Sequence, residues 1–228
     1  MRFKDLNWMD IQHYLQSDNR IILTLGATEQ HSYLSLLTDA HIPETIATAA
    51  SGREKVLIAP PLNFGCGTRF MDFPGTISIA QSTFDALLID IVQSLLGHGF
   101  SRFLIINGHW ENQLPQGLST LIEEDYGQIT WFNWWNSNSV RTFESQYDLR
   151  VDHANWSENF TFNRVVSVPN GEVDPIMVDE FASDMLLREQ IGDGNLGGQY
   201  QINDRLMLQL LDSIVNEVVQ LLIQLRTE

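Results

Sequence analysis

Glu29-Gln30-His31 and His109-Trp110-Glu111 set a carboxylate and an imidazole two residues apart, in mirrored order. In extended backbone residues i and i+2 point to the same side, so Glu29 projects with His31 and His109 with Glu111. Asp39 lies ten residues beyond Glu29, at the end of Ser35-Leu36-Leu37-Thr38, and supplies a carboxylate that could bridge two cations. Two divalent ions about 3.5 to 4 Å apart repel strongly and need bridging anions between them. Ligands of types O, N, O, N and O suit zinc or manganese better than calcium, which prefers oxygen alone. Taken singly, either histidine reads as a hydrogen-bonded polar residue at a strand end; both pairs at one sheet edge read as ligands.

Each pair is delivered by an apolar run that stops at a glycine. Ile21-Ile22-Leu23-Thr24-Leu25-Gly26 precedes the first, and Phe103-Leu104-Ile105-Ile106-Asn107-Gly108 precedes the second. Short continuous apolar runs bounded by turn residues are the pattern of strands buried on both faces of a parallel sheet. Both pairs then lie beyond the carboxyl ends of strands, where open α/β sheets place their ligands. The rest of the chain alternates in the same way. A helix is expected near 43–51, a short strand at 56–59 halted by Pro60-Pro61, a Gly-rich loop at 63–68, and a strand at 76–79 after the turn Asp72-Phe73-Pro74-Gly75. Phe84, Leu87, Leu88, Ile91 and Leu95 form the stripe of an amphipathic helix that ends at Gly97 and Gly99. A helix to about residue 125, a strand at 129–132 and an apolar helix over 204–226 follow. This is βαβ alternation, an α/β fold with a mostly parallel sheet. The last helix is apolar enough to pack on the sheet or on another subunit.

With 228 residues and 43% hydrophobic content, the chain is expected to form one domain over 1–228. The single cysteine, Cys66, excludes an intrachain disulfide and a cysteine-based zinc cluster. The formal charge of −16 repels phosphate backbones and no basic stripe interrupts it, so nucleic acid is not expected as a partner. No apolar signal-peptide core is visible near Met1, and no run is read as a membrane span, so a cytoplasmic protein with no membrane partner is expected.

Gly26-Ala27-Thr28-Glu29-Gln30-His31, Asp39, Phe73-Pro74-Gly75-Thr76 and Asn107-Gly108-His109-Trp110-Glu111-Asn112 resemble, in the same order, the signature segments of the creatininase (creatinine amidohydrolase) family. Gly192-Asp193 and the long terminal helix extend the resemblance over most of the chain. It implies a three-layer α/β/α fold and a binuclear centre holding two divalent ions, Zn2+ and/or Mn2+. It also implies a homo-oligomer, usually a hexamer, that hydrolyses a C–N bond of a small, cyclic amide, with creatinine as one candidate. By residue-wise match Glu29, Asp39 and His109 would hold one ion and His31, Asp39 and Glu111 the other.

His153-Ala154-Asn155-Trp156-Ser157-Glu158 resembles the family's His-Gly-Gly-x-x-Glu segment, whose histidine handles protons. Amide hydrolysis needs an acid for the departing nitrogen, and a neutral-range imidazole can serve, so His153 takes that role. Glu158, on an expected following helix, is read as orienting His153 or contacting the metals, or as a plain acid at a helix N-terminus. Trp110, Trp134 and Trp135 offer indole faces to a planar substrate, whereas Trp131 reads as core. Three departures bear on pocket shape. The spacing from Glu29 to Asp39 is one residue shorter than usual, Ser32-Tyr33-Leu34-Ser35 replaces the common Gly-Pro-His-Leu-Pro run, and Leu149 stands where creatininase has a tryptophan. A non-catalytic binding protein, a formamide or peptide hydrolase, and a phosphoester hydrolase using Arg69 are the other readings.

Overall fold

A computed structural model describes residues 1–124, 127–176 and 187–226. Strands β1 (Arg20–Leu25), β2 (Leu57–Ile58), β3 (Gly65–Cys66), β4 (Ser78–Ile79), β5 (Arg102–Asn107), β6 (Gln128–Asn133), β7 (Glu172–Val173) and β8 (Gly198–Gln199) alternate with helices. The helices are α1 (Trp8–Tyr14), α2 (Thr38–Glu54), α3 (Gln81–Gly97), α4 (Gln116–Glu124), α5 (Asn138–Tyr147), α6 (Leu187–Ile191) and α7 (Asp204–Gln224). The central sheet has the order β2-β1-β5-β6 and is parallel throughout; β3 and β4 form a second, parallel pair, and β7 and β8 a separate antiparallel pair.

All six residues of β1 are buried, as a strand covered on both faces requires. Ile22, Ile58, Leu104 and Ile106 pack towards α2, α5 and α7, while Ile21, Leu23, Leu25, Phe103 and Ile105 pack towards α3 and α4. The fold is therefore the three-layer α/β/α arrangement. Transferring this much aliphatic surface out of water, at about 25 cal/mol per Å2, is the main force holding the layers together.

The register positions the site. Arg20 pairs with Arg102 and Leu25 with Asn107, so β1 and β5 end side by side, and the Gly108 N–H donates to the Leu25 carbonyl at 2.7 Å. Both following glycines are needed because the first turn of α2 sits on the strand ends. A Cβ at Gly26 would lie 2.7 Å from Ala40 N, and one at Gly108 would lie 1.9 Å from the Asp39 carbonyl oxygen.

The structure differs from the sequence expectation at three elements. α2 begins at Thr38 rather than near residue 43, with Pro43 inside the helix; lacking an N–H, Pro43 leaves the Asp39 carbonyl four residues back without its helical donor. Asp39 thus sits in a first helical turn, where its charge complements the helix dipole. No long helix follows His153; Glu158 closes a single 3-10 turn, Trp156–Glu158. α7 is 21 residues long and apolar enough by length and composition to cross a membrane, contrary to the absence of such a run expected above. Its Met207, Leu210, Ile214, Val218 and Leu222 lie in the core against α2 and α5, which accounts for its apolar stripe.

Candidate metal centre

Five side chains from four segments converge beyond the carboxyl ends of β1 and β5. The Asp39 carboxylate divides between two imidazoles: Oδ1 is 3.0 Å from His31 Nε2 and Oδ2 is 2.7 Å from His109 Nδ1. Glu29 Oε2 lies 3.6 Å from His109 Nδ1, and Glu158 Oε1 lies 3.7 Å from His31 Nε2. Glu29, Asp39 and His109 form one group able to hold a metal ion, and His31, Asp39 and Glu158 form another.

The imidazoles are oriented by their second nitrogens. His31 Nδ1 donates to the Glu29 carbonyl at 3.0 Å, and His109 Nε2 donates to the Cys66 carbonyl at 2.6 Å. In each ring the remaining nitrogen is the one facing Asp39, the arrangement that fixes the tautomer of a metal-binding histidine. His31 Nε2 is buried and, although close to Asp39, is out of line for a hydrogen bond. A buried polar atom without a partner is costly, and a cation between His31, Asp39 and Glu158 would satisfy it. The donor set therefore fits two divalent ions on either side of Asp39.

Electrostatics agree. Burial pushes the Glu29 carboxyl up to about 8, opposed by His109 and reinforced by Asp39. Burial would also lower His31 and His109, but the carboxylates around them, Asp39 foremost, hold both well above the usual imidazole range. Desolvation works against Asp39 too, yet the two imidazoles hold it well below the usual carboxylate range. The cluster calls for positive charge, which protons or metal ions can supply at the same nitrogens.

Beside the cluster lies a cavity of about 260 Å3 lined by Arg69, Phe70, Trp110, Trp135, Asp152 and His153, among others. His153 is stacked on Phe70, with ring centroids 4.3 Å apart at 16°. Gln30 orients it. The Gln30 Oε1 accepts from Ser32 N–H and its Nε2 donates to the Gly194 carbonyl, so the second Nε2 hydrogen donates to His153 Nε2 at 2.8 Å. The proton is then on His153 Nδ1, 4.0 Å from Glu29 Oε2. The Gln30 carbonyl, 3.0 Å from His153 Nε2, would suit the other tautomer, but the two bonds that fix the amide decide against it. Burial, with the His31 charge next, holds His153 well below the ordinary imidazole range.

The creatininase family model, creatinine amidohydrolase, matches residues 4–222. The chain belongs to the creatininase family. Creatinine amidohydrolase of Pseudomonas putida is 28% identical over 129 residues, which are 53% of this chain and 50% of that protein. The mycofactocin precursor peptide peptidase of Mycolicibacterium smegmatis is 31% identical over 99 residues, 40% of each. The matched stretches thus span half or less of these curated relatives. Among solved structures, that of creatinine amidohydrolase (creatininase) superposes with a TM-score of 0.84 at 18% identity, covering 98% of this chain and 96% of that one. A creatininase variant of Zn-Zn type gives 0.83 at 17%, and a structure named Creatininase Mn gives 0.80 at 18%, each over 98% of this chain and 97% of the other. At such identities the likeness shows the fold.

Within this creatininase-family fold, the structure sets Glu111 and Trp134 apart from the other expected site residues. Glu111 Oε2 lies 3.7 Å from His109 Nε2, on the far side of that ring from Asp39, whereas Glu158 is the carboxylate grouped with His31 and Asp39. The turn into 3-10 geometry is what brings Glu158 in, with Ala154 N–H donating to its Oε2 at 2.7 Å. Trp134 is buried in the core, edge-on to Trp135 and Phe160, and does not line the cavity; Trp110 and Trp135 do. Trp131 is half-buried against the α3 layer, its Nε1 donating to Asn133 Oδ1. The shortened loop takes its own path: Ser32 adopts φ 52°, and Ser35 N–H donates to the Asn163 carbonyl.

Gln30, Phe70, Asn107 and Asn112 were not singled out by residue type. Asn107 Nδ2 donates to the His109 carbonyl, and Asn112 Nδ2 to the Gly26 carbonyl, tying the two ligand loops together. Position within the Glu-Gln-His and Asn-Gly-His-x-Glu-Asn runs was the available signal for Gln30 and the two asparagines. Gly67, at φ 130°, leaves room for Glu111, whose Oε2 a Cβ there would meet at 1.7 Å.

Proposed function

We infer that this chain is a metal-dependent amidohydrolase acting on a C–N amide bond of a small substrate. The observation that carries the reading is the divided Asp39 carboxylate, with Glu29 and His109 on one side and His31 and Glu158 on the other. When bound, two divalent ions such as Zn2+ or Mn2+ would supply Lewis acidity, acidifying water and polarising the amide carbonyl. Glu29, Asp39 and His109 would hold one ion, and His31, Asp39 and Glu158 the other.

Burial favours neutral His153, whose Nδ1 faces the cavity; it would take up the proton released by the attacking water, becoming imidazolium with the Gln30 carbonyl accepting from Nε2, and pass the Nδ1 proton to the departing nitrogen, returning to the neutral ring. Gln30 orients the ring, and Phe70 fixes its plane. Trp110 and Trp135 provide flat apolar walls for a planar amide. Cyclic amides including creatinine, and short peptides, are the substrate classes that the matched relatives' names suggest for assay. In this reading the chain is a single domain, as its length and composition suggest, assembled as a homohexamer, an expectation carried by the resemblance.

Elemental analysis of the purified protein, paired with a hydrolysis panel of creatinine, lactams, formamides and dipeptides, tests the proposal. It expects divalent metal near two equivalents per chain and turnover of at least one amide, both abolished by Asp39→Ala. Metal content and turnover unchanged in that variant would remove the bridging role, and a metal-loaded protein inert on every amide would remove the hydrolase.

A further inference from the structure

One cation in the metal-centre cavity plays no part in the hydrolysis described above. Among the described residues lining that cavity, Arg69 is the one Lys or Arg, in a wall otherwise charged by Glu29, Asp39, Glu158 and Asp152. The first three carboxylates face the metal positions. Asp152 is engaged as well, its Oδ1 accepting from the His153 N–H at 2.9 Å and its Oδ2 lying 3.6 Å from Arg150. Arg69 is therefore the feature of this wall that attracts an anionic group on a substrate. Its guanidinium sits 5.0 Å from the centre of the Trp110 ring, a cation–π contact that holds it in place. Five N–H donors in a planar fork suit it to a carboxylate, which such a fork meets through two parallel hydrogen bonds.

The side chain is within reach of a ligand. Arg69 is half-buried and lines two cavities, the one at the metal centre and a neighbouring one of about 480 Å3 that shares Arg69 and Trp110 with it. Its place in the chain says which side of the scissile bond it serves. Phe70, the next residue, is stacked on His153, which supplies the proton to the departing nitrogen, while the acyl side is met by the metal ions. In an α-amino acid the carboxylate is joined to the carbon that bears the nitrogen, so adjacent residues of one loop can serve both groups. Thr68, Ser78, Gln81 and Gln113 line the neighbouring cavity and leave room there for the side chain of the departing residue.

Resting on the amidohydrolase reading, we propose that Arg69 is a specificity-determining residue that selects amides whose departing amine is an α-amino acid with a free carboxylate, that is, N-acyl amino acids and dipeptides. Water adds across the amide C–N bond: the acyl carbon takes the oxygen, the nitrogen takes the proton, and the amino acid leaves from Arg69 with its carboxylate unchanged.

Two matched pairs of probes, offered to the metal-replete protein, test it: N-formyl-L-leucine against N-formyl-L-leucinamide, read by formate release, and glycyl-L-leucine against glycyl-L-leucinamide, read by glycine release. The proposal expects the acid of at least one pair to be preferred by about tenfold or more in kcat/KM, chiefly through KM. Arg69→Gln should bring that ratio near one, and Arg69→Lys, which keeps the charge and loses the fork, should keep part of it. A merely structural role would lower both rates and leave the ratio alone. Acid and amide handled alike by the wild type overturn the proposal and leave the hydrolase standing. So does a preference that survives Arg69→Gln, since the carboxylate would then be sitting on the metal ions. If no probe is hydrolysed, calorimetric binding of the same four probes to wild type and variants decides by the same ratio, and absence of saturable binding overturns the proposal. Should Arg69→Gln fail to fold, Arg69→Lys and the four probes decide.

Discussion

Replacing Gly108 by alanine places a methyl group 1.9 Å from the Asp39 carbonyl oxygen and 2.6 Å from Pro43 Cγ. Ordinary contact begins at 3.4 Å, so the first turn of α2 must retreat from the sheet by more than an ångström or β5 must bend away. Neither the backbone carbonyl nor the proline ring can rotate aside. Overpacking of this kind costs about 1–3 kcal/mol. With a urea m-value of roughly 2–3 kcal/mol per M, the unfolding midpoint should fall by about 0.3–1.5 M. The functional loss should be larger, because the displaced turn carries the bridging Asp39, and a misplacement of about 1 Å costs on the order of a hundredfold in rate. Gly52→Ala is the matched control: it lies in the same helix with nothing within 4 Å of its Cβ, and it should stabilise by about 0.8–1 kcal/mol without touching activity. Urea denaturation and steady-state assay of both variants check this. A Gly108→Ala protein with wild-type midpoint and turnover would refute the claim that strand-end glycines seat Asp39.

Gln30→Leu removes the donor to His153 Nε2; kcat should drop by about ten- to a hundredfold while metal content is unchanged, and lost metal would instead make Gln30 a structural support of the cluster. Asp18 binds the Arg20 guanidinium through both oxygens at 2.6 to 3.0 Å. Burial pushes that carboxyl up, but the Arg20 hydrogen bonds outweigh it and hold it below the usual carboxylate range. A depressed carboxyl contributes stability that is present above its unfolded value near 4 and lost as pH falls through its folded one. The stability gap between wild type and Asp18→Asn should therefore be open at pH 6 and narrow on acidification below pH 4, followed by chemical denaturation; a gap independent of pH would contradict the pairing. Because protons and metal ions compete for His31 and His109, metal affinity should weaken as pH falls from 8 to 6, and chelation should lower Tm, with Zn2+ or Mn2+ restoring it.

Much of this arrangement was written locally. The runs before Gly26 and Gly108 are apolar on both faces because their strands are covered on both faces, and the pairs that follow them converge because β1 and β5 end in register. The start of α2 was hidden because Pro43 looks like a helix beginning, whereas the helix already includes Thr38 and Asp39 and tolerates the proline in its second turn. Glu158 was legible as a residue of interest but not as a neighbour of His31, since its place depends on the left-handed backbone at Ala154 and the 3-10 turn after it, a tertiary arrangement. Glu111 obeys the i+2 rule relative to His109, yet the rule says nothing of which ring nitrogen a carboxylate meets. Trp134 and Trp135 are adjacent in sequence, and only the path of the 3-10 turn after β6 turns one into the core and the other to the cavity.

Anomalous diffraction from crystals of the zinc-loaded protein, recorded at the zinc edge, addresses the central claim most directly. Two peaks should flank the Asp39 carboxylate about 3.5 to 4 Å apart, one within bonding reach of Glu29 and His109, the other of His31 and Glu158. A single peak, or a second ion bound by Glu111 with Glu158 uninvolved, would contradict it.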